Sequence, residues 1–117
     1  MKNKLLAILL FAGFLSLSAA KTPLYKHAVT VTFKAGVSPE AIQAVDESFG
    51  RLQKLKVVKG YEWGVIDSKE QVKHIYIFSF AQPKDLETYA KSPEHQAHIK
   101  IGAEDIEGVT AVQYFVN

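Results

Sequence analysis

Side chains that exchange protons crowd into one decapeptide, Tyr89-Ala90-Lys91-Ser92-Pro93-Glu94-His95-Gln96-Ala97-His98. An imidazole with pKa near 6.5 needs no tuning to take a proton at neutral pH. A phenol near 10 would need a drop of about three units, roughly 4 kcal/mol of differential stabilisation. Proton abstraction therefore falls to His95, with Tyr89 orienting it or steadying an enolate oxygen. The blander reading is that the two rings hydrogen-bond across a bend and only fix its angle. His98 follows His95 by three residues, on one helix face, a spacing that could bind a metal. Glu94 is adjacent in sequence and completes no ligand set, so neither metal nor cofactor is expected.

The bend comes from Ser92-Pro93. Proline disfavours the helical region for the residue before it and suits the first turn of a helix. Ser92 supplies an N-cap. One helix, opened by Pro83 and Asp85, thus runs through Tyr89 and ends near Lys91. Another starts on a new axis at Pro93 and continues to about Asp105, where Gly108 breaks the pattern.

The rest of the chain must build a floor beneath that corner. From His27 to Lys34 the sequence alternates with period two, His27, Val29, Val31 and Phe33 on one face. Ser38-Pro39-Glu40 opens a helix, and Ile42, Val45, Phe49, Leu52 and Leu55 form one stripe to about Lys56. Gly50 weakens that helix by about 1 kcal/mol and suggests a close approach to the sheet or a ligand. Tyr61 to Ile66 reads as a second strand and Val72 to Phe80 as a third, joined by a polar hairpin loop over Asp67 to Gln71. Val109 to Val116 is the last. The order β-α-β-β-α-β is the ferredoxin-like plan, an α+β sandwich.

The third strand has large apolar groups on both faces: His74, Tyr76, Phe78 and Phe80 on one, Ile75 and Ile77 on the other. Two helices cover only one face, so a second copy of the chain is expected on the other, giving a homodimer. Taken as parallel neighbours, the first and third strands would bring His27 and His74 to the same end of the helix-covered face. Trp63, Phe78 and Phe80 read as core, and Lys54, Lys56 and Lys59 as solvated surface.

Export is expected from the front of the chain. Met1 to Lys4 is basic, Leu5 to Leu17 almost unbroken apolar, and Ser18-Ala19-Ala20 puts small residues at −3 and −1 of a cut before Lys21. That is the plan of a secretory signal peptide over residues 1–20, too short for a comfortable span, with an uncleaved anchor as the alternative. A single domain then covers 21–117, periplasmic or secreted, with no stable membrane span after cleavage. Without Lys2 and Lys4, the 12 remaining basic residues balance the 12 acidic ones. No basic cluster with interleaved aromatics tracks phosphates, so no nucleic-acid partner is expected. There is no cysteine, hence no disulfide and no thiol nucleophile.

The Lys26-His27 strand ending Phe33-Lys34, Trp63-Gly64, the strand from His74 to Phe80, and Tyr89 followed six residues on by His95 resemble the stress-responsive dimeric α/β-barrel (Dabb) family. The resemblance covers nearly all of 21–117 and implies a ferredoxin-like protomer pairing as a dimeric α/β barrel. A plant polyketide cyclase of that family closes a linear tetraketide by aldol condensation. By that resemblance Tyr89 and His95 stand at its acid/base pair, and His27 and His74 at further cavity histidines. Ser92 stands where the family often has histidine, His98 where an aromatic is expected, and Phe49 in place of a tyrosine.

The expected function is an exported homodimer binding a small apolar, aromatic or polyketide-like molecule between sheet and helices. His95 and Tyr89 would be its catalytic pair in lyase- or cyclase-type chemistry, with His27, Val29, Val31, Phe49, His74, Tyr76 and His98 contacting the ligand. A non-catalytic, stress-associated binding or structural homodimer is the alternative. A cofactor-free monooxygenase rests on the fold alone.

Overall fold

The computed structural model describes residues 23–117; the signal peptide expected over 1–20 lies outside the described residues. Strand β1 (Tyr25–Phe33) buries Val29, Val31 and Phe33 on one face, as its alternation demands. Helix α1 (Pro39–Arg51) starts where Ser38 Oγ accepts a hydrogen bond from the Ala41 amide at 3.1 Å, with proline in the first turn. Its stripe of Ile42, Val45 and Phe49 continues into Leu52, which opens a short 3-10 turn to Lys54. The helix therefore stops short of Lys56. A β-carbon at Gly50 would meet nothing within 4 Å, so the close approach expected there does not exist.

Strands β2 (Gly60–Val65) and β3 (Lys73–Phe80) follow, then helices α2 (Pro83–Lys91) and α3 (Pro93–His98), and strand β4 (Ile106–Phe115). The sheet order is β2-β3-β1-β4, with every neighbouring pair antiparallel. This corrects the parallel pairing of β1 with β3. The helical crossover links β1 to β2, and the hairpin after β2 reverses the chain before β3 enters between them. In the resulting register His27 lies opposite Phe78, and His74 lies opposite Val31. The two histidines share a face but sit about 14 Å apart along the strands, at ~3.4 Å per residue.

The core lies between that face and the helices. Tyr76, Phe78 and Phe80 of β3 are fully buried, with Val45, Phe49 and Leu52 of the α1 segment and Tyr89 of α2 above them. Each such side chain contributes about 1.5–3 kcal/mol through burial. Trp63 is not core: it sits on edge strand β2 and is 47% exposed, its ring lying beside Tyr76.

Helix α3 is a short one, ending at His98 rather than near Asp105. Gly102 adopts φ +68°, and a β-carbon there would stand 2.5 Å from Val45 Cγ2. Only glycine fits this left-handed position tight against α1. A 3-10 turn (Ala103–Asp105) then leads into β4. Gly108 is inside that strand, beside the register shift between Thr32 and Phe33, and ends no helix.

Candidate functional site

Ser92 makes the corner as its sequence context demands. Its extended backbone (φ −66°, ψ 149°) closes α2 and opens α3. Its hydroxyl donates to the Tyr89 carbonyl at 2.7 Å and accepts from the His95 amide at 3.1 Å. The Gln96 side chain donates to the Ala90 carbonyl at 2.9 Å, tying the second helix back to the first. These three bonds turn the Tyr89 and His95 rings toward each other, with centroids 4.9 Å apart.

Both rings face a cavity of about 250 Å³ between the sheet and the helices. Its floor is His27, Val29 and Val31 of β1 with Val109 and Ala111 of β4. Val45 and Phe49 of α1 form one wall. Tyr89, His95 and His98 form another, and Ile99, Ile101 and Ile106 close the end. Of the residues singled out from sequence, the structure brings together His95, Tyr89, His27, Val29, Val31, Phe49 and His98.

His74 and Tyr76 do not line it. The antiparallel register carries them beneath α1, where Asp46 Oδ1 accepts from the Tyr76 hydroxyl and lies 2.7 Å from His74 Nδ1. Phe49 stacks on Tyr76 with centroids 3.7 Å apart, and Phe33 meets the His74 ring edge-on at 5.4 Å. Asp46 was not apparent as a functional position from sequence, although a signal existed. It follows Ile42 by four residues and precedes Phe49 by three, an acid within an otherwise apolar stripe. The Tyr61 hydroxyl is buried without a partner, and burial, aided by the Asp46 charge, pushes its pKa up to about 12.

The polar atoms of the cavity are three imidazoles and one phenol; its lining contains no Asp, Glu, Lys or Arg. His98 Nδ1 lies 2.7 Å from Ser48 Oγ, and His27 Nδ1 lies 2.6 Å from Gln113 Oε1. His95 Nδ1 is buried and has no partner. Burial lowers the proton affinity of all three rings. For His95 the nearby His27 adds to the lowering while the Ala90 carbonyl opposes it; for His27 the Gln113 amide opposes it. His98 falls to about 4 through burial, then His95 and Arg51. Burial raises the Tyr89 pKa above the ordinary phenol value, with Tyr61 adding to it. At neutral pH the wall thus offers a proton-accepting imidazole beside a phenol that stays protonated and donates. Among the described residues, no group of three or more His, Asp or Glu side chains could hold a metal ion. Among the same residues, no helix is long and apolar enough to cross a membrane.

The profile of the stress-responsive A/B barrel domain (Dabb) matches residues 25–116. A curated relative, the stress-response A/B barrel domain-containing protein HS1 of Arabidopsis thaliana, is 29% identical over 100 residues, covering 81% of this chain and 91% of its own. A dimeric, ferredoxin-like protein of unknown function from Bacteroides fragilis is 28% identical with a TM-score of 0.66, over 80% of this chain and 96% of that one. The hydroxynitrile lyase of Passiflora edulis shares the fold at TM-score 0.72 and 20% identity, over 82% of this chain and 95% of its own. The chain belongs to the stress-responsive A/B barrel (Dabb) family.

Proposed function

We propose that this Dabb protein is a homodimer that binds a small apolar or aromatic molecule, of ketone, phenol or polyketide type, in the cavity under the α2–α3 corner. His95 acts there as general base and Tyr89 donates a hydrogen bond to the oxygen on which charge develops, as lyase- or cyclase-type proton transfer requires. The observation that carries this reading is the pairing of the His95 and Tyr89 rings, centroids 4.9 Å apart, on the wall of that cavity. The apolar floor supplies the remaining contact. The homodimer reading draws on the dimeric Bacteroides relative and on the apolar outer face of the sheet, where Val112 is 60% exposed. Export through the apolar leader over 1–20 completes the proposal, and places the protein in the periplasm or outside the cell.

A second, non-catalytic reading has its own observation. Tyr89 is only 2% exposed and packs against Phe78 and Phe80 at 5.2 and 5.3 Å, as a ring that merely holds the corner would. Thermal shift with a panel of small aromatic ketones and phenols separates the two. The proposal expects ligand-dependent stabilisation of the wild type that His95→Ala and Tyr89→Phe both lose, while keeping the unliganded melting temperature within ~3 °C. Early melting of both variants, with no ligand moving the wild type, would favour the structural dimer.

A further inference from the structure

On the helix-covered face, β4 presents Val109, Ala111, Gln113 and Phe115, so Gln113 is an amide in an otherwise apolar row. Its cross-strand neighbour is His27, directly opposite in the β1–β4 register. Gln113 Oε1 lies 2.6 Å from His27 Nδ1. An amide oxygen only accepts, so the proton of the neutral ring is on Nδ1 and the lone pair on Nε2. A strand side chain stands roughly perpendicular to its sheet. Nε2, the nitrogen farther from the backbone, therefore points up toward the helices, into the cavity that His27 lines. It keeps accessible surface and has no hydrogen-bond partner among the described residues. The titratable groups facing the ring are Tyr89 of α2, edge-on with centroids 6.2 Å apart, and His95 of α3. Neither bonds to Nδ1, which leaves Gln113 alone to choose the tautomer.

Resting on the cavity reading above, we infer that Gln113 is a positioning residue: it locks His27 in the Nδ1–H tautomer and so presents Nε2 to the ligand as a hydrogen-bond acceptor. The cavity thereby selects a molecule with a hydroxyl at the end that meets β1, because that group donates to Nε2. Tyr89, which stays protonated, offers a donor on the facing wall, so the two sides of the cavity ask for opposite partners. Without Gln113 the ring returns to Nε2–H, the form that an imidazole side chain favours in water. A donor then stands where the acceptor was.

Long-range proton–nitrogen correlation NMR of the intact, unliganded protein at pH 8 reads the tautomer of each imidazole. The inference expects Nδ1–H for His27 in the wild type and Nε2–H in Gln113→Leu, with the ring signals of His74, His95 and His98 unmoved. Gln113→Glu should restore the Nδ1–H form and raise the His27 pKa, because a carboxylate accepts the same bond and favours the charged ring. Calorimetry adds the ligand. 4-Propylphenol should bind the wild type about five- to tenfold more tightly than its methyl ether, 4-propylanisole, and Gln113→Leu should erase that preference. A wild-type His27 protonated on Nε2, a Leu variant that keeps the proton on Nδ1, or equal binding of phenol and ether overturns the inference and leaves the cavity reading standing. If neither compound binds, both fall. Gln113 is exposed, and the wild-type spectrum and the phenol–ether comparison need no variant, so the inference is decided even if a variant does not fold.

Discussion

A polar atom shut away from water without a partner is unfavourable by about 1–3 kcal/mol, and His95 Nδ1 is such an atom. Asp46 is the opposite case, a single carboxylate oxygen serving both His74 and Tyr76 beneath α1. Asp46→Ala should therefore cost about 2–4 kcal/mol by urea denaturation, while Tyr76→Phe, which removes one donor and leaves the acceptor occupied by His74, should cost only ~1 kcal/mol. Equal losses in the two variants would mean that the carboxylate is not shared. Single residues were unevenly legible in the sequence. His95 and His98 could be placed on one wall because local spacing alone decides which face of a short helix they share, and the Ser92-Pro93 bend brings Tyr89 to them. The partner of His74 could not, because Asp46 is remote in sequence and only the tertiary register brings it over the strand.

Among the elements, the α2–α3 corner and the turn after α3 shape the cavity. Ser92-Pro93 forces the first through backbone restriction and capping, effects confined to a few residues and hence visible in the sequence. The end of α3 was harder to see. Ile99 and Ile101 break the three-and-four spacing of a helix, and Gly102 then takes the left-handed conformation against Val45. Gly102→Ala should destabilise the protein by about 1–3 kcal/mol in urea, from backbone strain and the clash with Val45. Because Val45 lines the cavity, the same change should weaken ligand-induced thermal stabilisation. An unchanged denaturation midpoint would show that the turn relaxes freely. Strand direction was misjudged from sequence because patterning reports which face a residue occupies and not which way its strand runs. Connectivity decides direction: a crossover keeps it and a hairpin reverses it.

For the molecule as a whole, the helices cover one face of a four-stranded sheet. On the other face Ile75 and Ile77 of β3 are half-buried, while Val112 and Tyr114 of β4 are 60% and 42% exposed. Under the proposed homodimer a partner's sheet covers these groups. Val112→Lys combined with Tyr114→Lys should then shift the protein from dimer to monomer in sedimentation equilibrium, and a variant that stays dimeric would place the interface elsewhere. The need for that second layer was legible in β3, whose two faces are both apolar. Trp63, exposed at the β2 edge, was not read correctly, since an aromatic on a strand looks like core until the sheet order shows that its strand is an edge.

The central claim is that His95 is a neutral imidazole on the wall of a cavity that a ligand fills. An NMR titration of the ring protons of His27, His74, His95 and His98, with and without a small aromatic ligand, tests it most directly. The account predicts that His95 titrates below the ordinary 6.5, that His98 titrates at about 4, and that the ligand moves the signals of both. A His95 ring titrating at or above 6.5, with signals that no ligand displaces, would contradict it.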